Sequence, residues 1–81
     1  MKDKTIDKHQ VMILADAIQR YLETHPAASD TLAGISRWWL PSQRLEYPME
    51  SVREALQYLE SRGLVEQLDS ESGEVLYRKS H

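Results

Sequence analysis

The sequence predicts an α+β domain, a three-helix bundle followed by a C-terminal β-hairpin. Three observations lead there. Apolar residues recur at helical spacing in three separate segments, each closed by a proline or a glycine. After residue 63 the pattern changes to two short strand-like runs around a polar turn. The chain has 81 residues, enough for one domain and too few for two. The domain is expected to cover residues 8–79, with residues 1–7 as a flexible polar lead-in.

The first helix is expected over residues 8–24. Asp7 is a good N-cap, and Gln10 three positions later completes a capping-box pattern. Val11, Leu14, Ile18, Tyr21 and Leu22 form one face, and Asp16, Gln19, Arg20 and Glu23 form the other. His25-Pro26 stops the helix, because a residue before proline disfavours the helical region. Residues 26–30 read as a connector, with Ser29 or Asp30 capping a second helix. Leu32, Ile35 and Trp39 make its apolar stripe, and Pro41 ends it. Residues 41–48 form a turn bracketed by Pro41 and Pro48. The second of these suits the first turn of a third helix, over about 49–61. Val52, Ala55, Leu56 and Leu59 face inward there, and Gly63 supplies the left-handed C-terminal cap. Leu64–Leu68 and Glu74–Arg78 are then the two strands of a hairpin whose turn is Asp69–Gly73.

The segment Val52-Arg53-Glu54-Ala55-Leu56-Gln57-Tyr58-Leu59-Glu60-Ser61-Arg62-Gly63-Leu64-Val65-Glu66 resembles the junction between third helix and wing in the winged helix-turn-helix superfamily. A leucine-bearing helix ends in glycine, an aliphatic pair opens the first wing strand, and a polar turn follows. The resemblance extends over about residues 8–79 and implies the winged-helix fold. This chain departs from the pattern in two places. The connector between helices two and three has eight residues rather than three or four. The small strand often found between the first two helices has only Ala27-Ala28 to represent it.

The resemblance implies a role in binding, and charge helps to choose the partner. DNA-binding winged helices place the third helix in the major groove and use Lys and Arg to neutralise phosphates. Here residues 1–40 carry five Lys/Arg and five Asp/Glu, whereas residues 41–81 carry five and eight. The outward face of the third helix is expected to hold Glu50, Ser51, Arg53, Glu54, Gln57 and Ser61. The hairpin tip holds Asp69, Glu71 and Glu74 without a Lys or Arg. Candidate nucleic-acid contacts are therefore Arg44, Arg53, Gln57, Arg62, Arg78 and Lys79, and they serve only if the fold gathers them on one surface.

The two tryptophans suggest a different partner. Trp39 continues the Leu32/Ile35 stripe into the core. Trp38 points about 100° away and falls off the stripe. With Leu40, Leu45 and Tyr47 it forms a candidate protein interface, since aromatic residues are enriched at binding hot spots. The alternative is that both rings pack under the 41–48 segment.

Catalysis is not expected. The chain has no cysteine. Its histidines (9, 25 and 81) lack metal-ligand spacing, and its three glycines are isolated rather than grouped in a phosphate loop. No serine sits in a nucleophile-elbow sequence. No cofactor, metal or small-molecule site is indicated. No apolar run approaches the roughly 20 residues that span a bilayer, and the N-terminus lacks the apolar core of a secretory signal. The expectation is a cytoplasmic, non-enzymatic binding module. A protein-interaction or dimerisation adaptor is favoured. The alternative is a DNA-binding regulator using helix 49–61 and the 64–78 hairpin.

Overall fold

The computed structural model describes residues 8–80. The elements are α1 (Lys8–Thr24), β1 (Ser29–Asp30), α2 (Leu32–Gly34), a π-helical turn continuing α2 (Ile35–Trp39), a 3-10 turn (Pro41–Gln43), α3 (Met49–Ser61), β2 (Val65–Asp69) and β3 (Val75–Lys79). The three strands form one antiparallel sheet in the order β1-β3-β2. Three helices and a small C-terminal antiparallel sheet make a compact α+β domain, with a layout compatible with a winged helix. The proposed N-cap Asp7 lies outside the described residues. Gln10, its expected capping-box partner, instead accepts a hydrogen bond through Oε1 from Ser51 Oγ at 3.1 Å.

The core draws one stripe from each helix. Leu14, Ile18 and Leu22 of α1 meet Ile35, Trp39 and Leu40 of the α2 segment and Val52, Leu56 and Leu59 of α3, with Val65 of β2 closing one end. Trp39 stacks on Tyr21, with centroids 4.5 Å apart and planes 13° apart. Tyr21 stacks in turn on His25 at 4.3 Å and 16°. Three rings thus tie the α2 segment to the C-terminal end of α1.

The connector between α1 and α2 differs from expectation. The small strand is Ser29–Asp30 rather than Ala27–Ala28. It pairs Ser29 with Arg78 and Asp30 with Tyr77. With those residues committed to the sheet, the helix cap moves to Thr31, whose side chain accepts from Gly34 N at 3.1 Å. Asp30 Oδ1 accepts from the Thr31 backbone N–H at 2.8 Å. The strands of the hairpin each begin one residue later than predicted, a difference typical of element ends.

The π-turn was not evident in the sequence, and it explains both tryptophans. The Leu40 N–H bonds the Ile35 carbonyl at 3.2 Å, five residues back instead of four. The wider turn accommodates one residue beyond an α-helical turn. Trp39 and Leu40 can therefore both face the core, while Arg37 and Trp38 stay outside. Deleting Trp38 makes the Ile35–Leu40 bond an ordinary i→i+4 bond between the same two residues. The deletion variant is expected to fold with an unchanged circular dichroism spectrum and to lose no more than about 1 kcal/mol. Loss of cooperative unfolding in that variant would contradict this view of the turn.

Two left-handed residues close helical segments. At the end of α3, Gly63 (φ 74°) donates to Glu60 O and Leu64 donates to Leu59 O, both at 2.9 Å. This is the paired-bond C-cap that glycine favours. The same pattern follows the 3-10 turn, where Arg44 N bonds Pro41 O at 2.8 Å and Leu45 N bonds Leu40 O at 3.0 Å. There the left-handed position holds Arg44 (φ 64°), an L-residue strained in that conformation. Opposite outcomes follow. Gly63→Ala should cost about 1 kcal/mol although its Cβ meets nothing, and Arg44→Gly should be neutral or stabilise by up to about 1 kcal/mol. Urea-denaturation midpoints check both.

Candidate functional site

Two surfaces compete for the role of binding site: the α3–hairpin face and the outer face of the α2 segment. On α3, the buried stripe Val52, Ala55, Leu56 and Leu59 leaves Glu50, Arg53, Glu54 and Gln57 exposed. Ser51, expected among them, is buried at 4% exposure, because its hydroxyl bonds Gln10 across the α1–α3 contact. The hairpin tip carries exposed Asp69, Glu71 and Glu74.

The basic candidates have different surroundings. Arg78 Nε donates to Glu66 Oε2 at 2.6 Å across the hairpin, where the two residues are directly paired. The Arg62 guanidinium lies 5.7 Å from the centroid of the Tyr58 ring. Lys79 lines a shallow cleft with Gln19, Leu22 and Glu23 of α1. Arg44 lies on the segment between α2 and α3, beside Pro41, Leu45, Glu46 and Tyr47. Arg53 and Gln57 are exposed on α3 with Glu50 and Glu54.

Tyr77 senses the field where α3 meets the sheet. Burial raises its phenol above the usual range, and the Glu60 carboxylate raises it further. Arg53 opposes with a smaller effect. Glu60 also accepts a hydrogen bond from Gln67 Nε2 at 3.1 Å, which links α3 to β2.

The α2 face has a different character. Trp38 is 65% exposed, the most open of the large apolar side chains described. The backbone carbonyl of the next residue is held by two side chains. Ser42 Oγ donates to Trp39 O at 2.8 Å, and Gln43 Nε2 reaches both Trp39 O at 3.3 Å and Ala17 O on α1 at 3.1 Å. The indole therefore stands on a firmly bonded turn. Its expected companions divide. Leu40 is 1% exposed and belongs to the core, so its place in a surface patch is corrected: the π-turn rotates it inward beside Trp39. Leu45 and Tyr47 are half-buried against the core. Tyr47 lines a shallow cleft with Ala33, Ser36, Arg37, Pro41, Glu46 and Met49, on the flank of the α2 segment.

Sequence reasoning missed a third feature, a groove of about 530 Å³ between α1 and α3. It is lined by Lys8, Val11, Met12, Glu54, Gln57 and Tyr58. Met12 lies beside the Val11/Leu14/Ile18 stripe rather than on it and is 47% exposed, which was the available signal.

Among the described residues, no group of three or more His, Cys, Asp or Glu could hold a metal ion, and no helix is long and apolar enough to cross a membrane. Comparison with protein-family models, curated proteins and solved structures finds no match for this chain.

Proposed function

We propose that this chain is a winged-helix domain that serves as a non-enzymatic protein-interaction module, with Trp38 as its principal contact. The observation that carries this reading is the exposure of Trp38 on a π-turn closed by the Leu40–Ile35 bond and braced at the Trp39 carbonyl by Ser42 and Gln43. An indole left in water on a rigid base gains about 2–3 kcal/mol when a partner covers it. It also loses little conformational freedom on binding, because its platform is already ordered. Arg37, next to Trp38 in the chain, shares a cleft on the flank of the α2 segment with the half-buried Tyr47, and such polar and aromatic groups are common at hot spots and their rims.

Charge argues against nucleic acid as the partner. α3 and the hairpin expose Glu50, Glu54, Asp69, Glu71 and Glu74 against Arg53, Arg62 and Lys79, and Arg78 is engaged by Glu66. Affinity for a duplex rests largely on phosphate neutralisation, which this surface opposes.

A photo-crosslinking amino acid placed at position 38, and separately at position 57 on α3, tests the choice in the native host. Protein adducts from position 38 that disappear in competition with unlabelled wild-type domain are the expected result. Nucleic-acid adducts from position 57, with none from position 38, would overturn the proposal.

A further inference from the structure

The groove between α1 and α3 lies apart from the Trp38 face and is built differently. Each wall repeats one arrangement. On α1, Lys8 is followed one turn later by Val11 and Met12. On α3, Glu54 is followed one turn later by Gln57 and Tyr58. Each helix thus brings a charge and, at the i+3 and i+4 positions, two uncharged side chains to the same concavity. The charges are opposite. Neither Lys8 nor Glu54 forms an ion pair among the described residues, although both line one groove. Met12 is 47% exposed there, beside Val11 and Tyr58, which are only half-buried.

Such a surface is self-complementary in charge. A two-fold axis brings the α1 wall of one copy against the α3 wall of the other, so each contact between two residues occurs twice. A purely acidic or basic partner would meet repulsion from one wall. A second copy, turned by 180°, meets attraction at both.

We infer that the α1–α3 groove binds a second copy of this chain, with Lys8 of each copy facing Glu54 of the other across apolar contacts from Met12, Val11 and Tyr58. This goes beyond the Trp38 proposal and does not depend on it. The dimer displays two Trp38 faces, so a partner with two matching sites gains avidity from dimerisation.

Sedimentation equilibrium from micromolar to millimolar protein reads the outcome. The wild-type chain is expected to show a concentration-dependent monomer–dimer equilibrium. Lys8→Glu alone and Glu54→Lys alone should each weaken the dimer about tenfold or more, because each sets like charges against one another at two symmetric positions. The double variant, Lys8→Glu with Glu54→Lys, should restore the dimer. Trp38→Ala should leave it intact. All of these positions are exposed, and circular dichroism verifies the fold of each variant. A wild-type chain that stays monomeric up to millimolar concentration overturns the inference. So does a dimer indifferent to both charge reversals, a double variant that fails to recover, or a dimer lost with Trp38→Ala.

Discussion

Trp39→Ala should destabilise the domain by about 3–5 kcal/mol, the range for removing a buried aromatic side chain. Trp39 is 3% exposed and its ring is stacked on Tyr21. Its loss leaves a cavity where α1 meets the α2 segment and also frees Tyr21 from one of its two stacking partners. A domain of this length has about 4–12 kcal/mol of total stability, so the variant should be largely unfolded at ambient temperature or unfold at very low denaturant. Trp38→Ala, one residue away, should change stability by no more than about 0.5 kcal/mol. Urea titrations followed by circular dichroism compare the two without relying on either indole as the probe. Equal losses from the two substitutions would mean that the π-turn does not separate a core tryptophan from a surface one.

Leu40→Ala should be nearly as damaging, at about 2–5 kcal/mol. Leu40 is 1% exposed, and its backbone takes part in three bonds that organise the region. Its N–H closes the π-turn on Ile35, and its carbonyl accepts from Gln43 N and Leu45 N. Shortening its side chain therefore opens a cavity beneath the segment that carries Trp38. Leu45→Ala removes a half-buried side chain and should cost less, about 1–2 kcal/mol. Denaturation midpoints rank the two. A Leu40→Ala variant of wild-type stability would return Leu40 to the surface, where residue type alone had suggested it belonged.

These two residues show where the sequence was legible and where it was not. The helical faces of α1 and α3 follow from spacing alone, because both are regular helices with one apolar stripe each. Their bounds match the sequence reading at Lys8–Thr24 and Met49–Ser61. Gly63 as a left-handed cap was legible for the same local reason. Leu40 was misplaced because a period of 3.6 residues cannot register the extra residue of a π-turn, which shifts the phase of everything beyond it. Ser29 and Asp30 read as capping residues in the sequence because a two-residue strand has no periodicity. Only its pairing with Tyr77 and Arg78, far along the chain, identifies it. Ser51 looked like a surface serine until packing against α1 supplied Gln10 as its partner. Of the candidate site, the exposure of Trp38 and the acidic hairpin tip could be read directly. The engagement of Arg78 by Glu66 depended on the hairpin register, and the α1–α3 groove on how two helices cross.

The choice between protein and nucleic acid is tested most directly by fluorescence anisotropy of a labelled random-sequence DNA duplex titrated with the wild-type domain at low and moderate salt. The acidic side chains exposed on α3 and the hairpin, and the engagement of Arg78 by Glu66, predict no binding at either salt concentration. Saturable binding at low salt that weakens steeply as salt rises would show that Arg44, Arg53, Arg62 and Lys79 act together on phosphates, and would contradict the assignment of the domain to protein recognition.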